Sequence, residues 1–263
     1  MSGEALLDWY AAVRRSLPWR ATRDPWAILV SEVMLQQTQA ARVLPHYERF
    51  HARYPAPGAL AAAPAAEAIG AWSGLGYNRR VLALQAAARA VVERGWPAPE
   101  RLEELPGVGP YTAAALGSFA WDAQVAAVDT NVRRVIERRD GVRRPARALA
   151  RRAAELVPEG RAAAWNQAMM ELGATVCRPR RPRCGECPLR AGCAGPDALE
   201  PLRRPRGERF EASDRWARGR LLAALVAGEA PPALEGERRE RALAGLERDG
   251  LVVRAADGEP RLP

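Results

Sequence analysis

A single carboxylate, Glu32, stands in an otherwise uncharged helical string, Val30-Ser31-Glu32-Val33-Met34-Leu35-Gln36-Gln37-Thr38. Burial penalises the charged form, so an acid in this company should keep its proton to higher pH than an exposed glutamate. Such a group can donate that proton to a leaving group. On a continuous helix Glu32, Leu35, Gln36 and Gln39 would share one face by three- and four-residue spacing. A second carboxylate, Asp129, lies in Val128-Asp129-Thr130-Asn131-Val132-Arg133-Arg134 at the expected start of another helix, where aspartate is a favoured cap. Two carboxylates in different environments can hold different protonation states, as acid/base work requires. All 40 basic residues are arginine. Without a lysine, no side-chain amine is available to form a Schiff base with a sugar aldehyde. Two histidines, His46 and His51, read as surface positions on a helix, so a Ser-His-Asp engine or a histidine-rich zinc site has little material.

All four cysteines fall in one loop, as Cys177-x6-Cys184-x2-Cys187-x5-Cys193. Thiolates gathered this closely repel one another unless a metal neutralises them, and disulfides are disfavoured in a chain of cytosolic character. Tetrahedral zinc and a [4Fe-4S] cluster both take four thiolates, and general spacing rules leave the two open. Between the first two cysteines, Arg178, Arg180, Arg181 and Arg183 alternate with Pro179 and Pro182, a stiffened positive loop suited to a phosphate backbone. A second candidate phosphate contact is Leu105-Pro106-Gly107-Val108-Gly109. Gly107 and Gly109, with Val108 between them, permit close backbone approach, and free amides at the following helix start favour an anion. Contacts of that kind hold nucleic acid without reading its sequence.

These groups need a helical frame. Apolar residues recur at helical spacing up to about residue 173, broken by proline or glycine. Asp24-Pro25 predicts a helix over 25–38, and Pro64 opens another. Further helices are expected over 76–94, 110–119, 129–138, 145–156 and 161–173. A multi-helix region, 1–193, closed by the cysteine loop at 177–193, is followed by a polar linker, 194–213, and a small module, 214–263. In that module helices over 214–226 and 237–248, a Gly250 cap and a hairpin around Asp257-Gly258 suggest a winged-helix-like fold. The chain has 263 residues, 48% hydrophobic and 27% charged, with a net charge of +9. That composition excludes disorder and collagen, no apolar run approaches a membrane span, and the charge supports phosphate binding. With no secretory signal visible, a cytoplasmic, nucleoid-associated location is expected.

Taken together, the Leu-Pro-Gly-Val-Gly turn, the aspartate twenty residues on and the four-cysteine loop resemble the helix-hairpin-helix DNA glycosylase superfamily. The cysteine spacing resembles the iron-sulfur loop of the endonuclease III and adenine glycosylase families. Ser31-Glu32-Val33-Met34-Leu35-Gln36-Gln37-Thr38 resembles the adenine DNA glycosylase (MutY) family almost letter for letter. So do Leu17-Pro18-Trp19-Arg20 and Trp165-Asn166-Gln167-Ala168-Met169-Met170-Glu171-Leu172-Gly173. The resemblance implies an all-α helix-hairpin-helix fold with a [4Fe-4S] cluster on Cys177, Cys184, Cys187 and Cys193. It implies a monomer acting on double-stranded DNA with a mismatched or damaged base pair, away from membranes. By the same resemblance Glu32 protonates N7 of an extruded adenine and then manages the water, and Asp129 stabilises the sugar cation. Tyr111 stands where lyase-competent relatives keep their lysine. Arg15, Trp19, Arg20, Leu35 and Gln167 would line the adenine site, with Gln37 and Thr38 probing the gap near the orphan base.

The chain departs from that family at three places. Asn78 stands where many members carry a second tyrosine, and Thr130 replaces the glycine usual after the catalytic aspartate. The third is the short tail, where typical members carry a longer Nudix-like domain. The expected activity is monofunctional removal of adenine opposite 8-oxoguanine or guanine in base excision repair. The alternatives are a mismatch glycosylase removing thymine or uracil opposite guanine, and a non-catalytic iron-sulfur DNA-binding protein.

Overall fold

Side-chain caps set helix starts at Asp24, Asp129 and Ser213. In the computed structural model, which describes residues 3–199, 209–230, 234 and 236–263, the Asp24 carboxylate accepts hydrogen bonds from the amides of Trp26 and Ala27 at 3.1 and 3.3 Å. Pro25 then opens the helix with its preset φ. Among the described residues the helices are α1 Gly3–Val13, α2 Pro25–Leu35, α3 Ala40–Arg53, α4 Pro57–Ala62, α5 Ala65–Trp72, α6 Arg79–Arg94, α7 Pro110–Trp121, α8 Thr130–Asp140, α9 Ala146–Ala154, α10 Ala162–Thr175, α11 Asp214–Ala227 and α12 Gly236–Arg248. A two-stranded antiparallel hairpin, β1 Val253–Arg254 and β2 Pro260–Arg261, ends the chain, with Val253 opposite Arg261. The architecture is all-α, as expected, and no described helix is long and apolar enough to cross a membrane.

Most expected helix bounds shift by one or two residues, and two shift by three, both for backbone reasons. The helix expected over 25–38 stops at Leu35, because Gln37 takes a left-handed φ of 56°. Gln36 and Gln39 therefore do not continue the Glu32 face. The helix expected from residue 76 starts at Arg79, because Gly76 and Tyr77 have φ of 72° and 47°. Of the 194–213 linker, residues 200–208 lie outside the described residues.

The chain divides into two compact units that do not follow chain order. The first takes the described residues of Met1–Glu32, Pro97–Glu104 and Val108–Arg203, and the second those of Val33–Trp96, Leu105–Gly107 and Arg204–Pro263. In the first unit α1, α8, α9 and α10 enclose a core of Leu6, Leu7, Tyr10, Val132, Val135, Ile136, Leu149, Trp165, Met169 and Leu172. The helical repeat of those apolar positions produces the packing. Gly173 lets α10 approach α8, since a Cβ there would lie 2.5 Å from Asn131 Cβ. Fully buried Asn166 ties down the strand-like approach to α8. Its amide accepts from Ala127 N at 2.8 Å and donates to Val125 O at 2.8 Å and Ser118 Oγ at 2.9 Å.

In the second unit Phe50 of α3 meets Trp72 of α5 edge-on at 5.6 Å. The buried Gln85 amide of α6 donates to the carbonyls of Leu60 and Ala63 at 3.0 and 2.7 Å, satisfying the end of α4. Ser213 caps α11 through Trp216 N; α11 packs on α12, and Leu221, Leu222, Leu243 and Leu246 of the two helices are buried.

Candidate active site

Glu32 is only 4% exposed. Its Oε2 accepts a hydrogen bond of 2.9 Å from the Tyr111 hydroxyl, which α7 delivers from its first turn. Burial pushes the Glu32 carboxyl up to about 7; the Tyr111 hydrogen bond and the Arg20 charge oppose that rise, and the Asp129 charge adds to it. The proton-holding acid expected from the apolar string is therefore present. Tyr111 itself is raised well above the usual phenol range, first by burial and then by the negative charge of Glu32 and Asp129.

Asp129 caps α8. Oδ1 accepts from the amides of Asn131 and Val132 at 2.8 and 2.7 Å, and Oδ2 accepts from the Asn131 side chain at 2.6 Å. The Asn131 amide is itself oriented by Arg134, whose Nη2 donates to Asn131 Oδ1 at 2.7 Å and to Gly173 O at 2.6 Å, while Nε donates to Cys177 O at 2.7 Å. Sequence reasoning missed Asn131 and Arg134. The signal was the two- and five-residue spacing from Asp129, which puts both on the first turns of α8.

A second buried acid in the same unit was also missed. Glu171 of α10 has a side chain with no exposure, and it takes a forked pair from Arg15, at 2.7 and 2.8 Å, and a third bond of 2.8 Å from Arg20. Burial alone would raise its carboxyl, but the Arg15 and Arg20 hydrogen bonds hold it below the usual range. One turn earlier, Gln167 accepts a 2.7 Å bond from the Tyr10 hydroxyl. Trp19 is buried in the short 3-10 turn before Arg20. Arg15, Arg20, Gln167 and Glu171 thus form one polar group, legible in advance only as a second lone acid in an apolar helix, four residues after Gln167.

Leu35, Gln37 and Thr38 belong to the second unit. Leu35 is half-buried and Gln37 exposed. Arg80 organises this turn: Nη1 lies 2.7 Å from the carbonyls of Val33 and Gln36 and 3.0 Å from that of Met34, and Nη2 lies 3.4 Å from Thr38 Oγ1. Carbonyls that would extend α2 are taken by this guanidinium, which accounts for the early helix end. In the hairpin turn Gly107 has φ of 75°, and a Cβ there would meet Ala83 Cβ at 2.6 Å. Val108 is buried, Gly109 is extended, and Pro110 opens α7.

The four cysteines line one cavity of about 210 Å³, with Arg138, Val176 and Pro182 also on its wall. Among the described residues no three His, Cys, Asp or Glu side chains are gathered to hold a single metal ion. Burial, and then the charge of the other three cysteines, raises the Cys187 thiol. Arg138 Nη1 lies 3.6 Å from Cys177 Sγ and donates to Arg178 O at 2.7 Å, a cation the sequence reading did not single out. Arg180, Arg181 and Arg183 are exposed; Arg178 is half-buried and donates to Arg181 O at 3.3 Å.

A helical frame with a Gly-x-Gly turn, a proton-holding glutamate and a capped aspartate defines a helix-hairpin-helix base-excision site. The family model described as HhH-GPD superfamily base excision DNA repair protein matches residues 30–159. An adenine DNA glycosylase of Mycobacterium tuberculosis is 43% identical over the whole of this chain and 94% of its own. The Homo sapiens adenine DNA glycosylase is 41% identical over 74% of this chain and 39% of its own. The solved structure of a thermostable thymine-DNA glycosylase superposes with a TM-score of 0.69 at 31% identity, covering 75% of this chain and 95% of that one. The chain belongs to the adenine DNA glycosylase family within the HhH-GPD superfamily.

Proposed function

We propose that the protein is a monofunctional adenine DNA glycosylase that hydrolyses the N-glycosidic bond of adenine mispaired with 8-oxoguanine or guanine in double-stranded DNA. The observation that carries this reading is the buried Glu32, with a carboxyl near 7 and a hydrogen bond from Tyr111. The base leaves the stack to reach such a site. Protonated Glu32 gives its proton to N7 of adenine, and the C1′–N9 bond breaks with its electron pair leaving on the base. The sugar becomes an oxocarbenium-like cation, which the Asp129 carboxylate stabilises. Water then attacks C1′, and Glu32, now ionised, takes its proton. With no lysine in the chain, the sugar product is not carried on to strand cleavage through a Schiff base. Glu171 with Arg15, Arg20 and Gln167 supplies polar edges for the base, and Gln37 and Thr38 meet the strand opposite it. Gly107, Val108, Gly109 and the exposed arginines of the cysteine loop hold phosphates.

The cavity of about 210 Å³ lined by all four thiols supports reading the cysteine loop as a cluster site. Cys177, Cys184, Cys187 and Cys193 would hold a [4Fe-4S] cluster, which when bound neutralises the thiolates and pins residues 177–193. Iron and sulfide assays should return about four of each per chain; stoichiometric zinc in their place would refute it.

Single-turnover excision on duplexes carrying A opposite 8-oxoguanine, A opposite G, and T or U opposite G tests the activity, with Glu32→Gln as control. Adenine release that the control lacks is expected. Release of thymine or uracil instead would assign the scaffold another substrate.

A further inference from the structure

We propose that Arg215 is a positioning residue through which the C-terminal helices set the 36–38 turn and thereby the discrimination among bases opposite the excised one. This rests on the reading above that Gln37 and Thr38 meet the opposite strand. Every contact in the argument lies within the second unit.

The guanidinium of Arg215, near the start of α11, lies 3.8 Å from the centre of the Tyr77 ring. Arg80 covers the same ring at 5.4 Å. Tyr77 sits between α5 and α6 with a left-handed φ of 47°, a conformation that a bulky residue adopts only when its surroundings impose it. Arg80 joins this turn to the other: its Nη2 is 3.0 Å from Gly76 O and its Nη1 is 2.7 Å from Gln36 O. Among the described residues of the second unit the non-glycine left-handed ones are Gln37 and Tyr77, and Arg80 bonds Gln36 and Thr38 on either side of the first and the carbonyl of the second.

The tail touches this region at further points. Asp249, just after α12, pairs with Arg218 and lies 3.7 Å from Arg79, the first residue of α6. A Cβ on Gly70 of α5 would be 3.9 Å from Val226 of α11. The tail is therefore built against the α5–α6 turn from both sides.

Its charge separates this role from direct DNA reading. Residues 214–263 contain nine arginines and nine acids, so the whole excess of +9 lies elsewhere. Arg239, Arg241, Arg254 and Arg261 each lie within 4.0 Å of a carboxylate of the same module. A winged-helix-like module that reads DNA needs uncompensated cations to displace counterions. In this one Arg218 too pairs with a carboxylate of the module, so five of the nine arginines are matched to its own acids, and Arg215 lies over a protein ring as a cation–π contact requires.

The test uses the full chain and duplexes with 2′-fluoro-deoxyadenosine, whose electron-withdrawing fluorine disfavours the sugar cation so that binding is read without turnover. Affinities are measured with 8-oxoguanine, G and C opposite, for wild type, Arg215→Ala, Arg215→Lys and Tyr77→Leu, together with Tm. Arg215→Ala should shrink the affinity spread among the three duplexes by about two- to fivefold with an unchanged Tm, within the range of an exposed cation–π contact. Arg215→Lys should restore much of that spread. In a Tyr77→Leu background Arg215→Ala should add nothing, which a double-mutant cycle reads directly. An unchanged spread, a uniform loss on all three duplexes with a lowered Tm, or a wild type that binds all three alike would each overturn the proposal. A wild type that discriminates in binding but releases no adenine would sink the proposed activity and leave this inference standing.

Discussion

Glu32 and Asp129 occupy the last turn of α2 and the threshold of α8, and the two places surround a carboxylate in opposite ways. The buried site on α2 offers Glu32 one hydroxyl, from Tyr111, with the Arg20 and Asp129 charges acting in opposite directions, and burial outweighs the rest, so the neutral form is favoured until about pH 7. The threshold of α8 offers Asp129 two backbone amides and a side-chain amide, all donors and all within 2.8 Å. The lesson is that a helix can make either a proton donor or a fixed anion from the same functional group, according to whether the group meets the helix interior or its free amides. Proton transfer and cation stabilisation then need no metal or amine to be assigned to different residues.

Substitutions that erase one side of this contrast should have the largest effects. Glu32→Gln keeps the shape and removes the proton donor, and single-turnover excision should fall by about 10²–10⁴-fold, the usual worth of a positioned acid. Asp129→Asn removes the anion, and the rate should fall by about 10²–10³-fold with duplex affinity retained, as when one electrostatic stabiliser is lost. Activity at the wild-type level in the second variant would show that the anion is structural only.

Burial of Glu32 should also be visible in stability. Its folded-state pKa is raised, so the stabilisation it contributes is full below about 4.5 and is lost as pH rises towards about 7. Glu32→Gln does not titrate. Its stability relative to wild type should therefore grow across that interval by on the order of 3 kcal/mol, then level off, as denaturant unfolding at pH 5 and pH 8 would report. The smallest effect sharpens the contrast rather than breaking it. Tyr111→Phe removes the one donor that favours ionised Glu32, so the alkaline limb of the pH–rate profile should move up by about one unit. A limb that stays in place or moves down would contradict the assigned hydrogen bond.

Legibility in the sequence followed the range of the interactions. Helix starts at Asp24-Pro25 and Asp129 were readable because a cap and the amides it binds lie within three residues. The raised acid at Glu32 was readable because its apolar neighbours are adjacent in the chain. The end of α2 was not, since Arg80, more than forty residues away, captures its carbonyls. Glu171 was hidden for the same reason, its partners Arg15 and Arg20 being separated from it by about 150 residues. The cysteine spacing was plain, but Arg138 beside it depends on how α8 passes the loop.

The packing of α1 against α10 has a consequence during synthesis. Leu6, Leu7 and Tyr10 find their partners Trp165, Met169 and Leu172 only after some 160 further residues have been made. At about 5–20 residues per second that interval is roughly 8–30 s. Throughout it α1 carries an uncovered apolar stripe, the kind of surface bound by chaperones that hold exposed apolar helices.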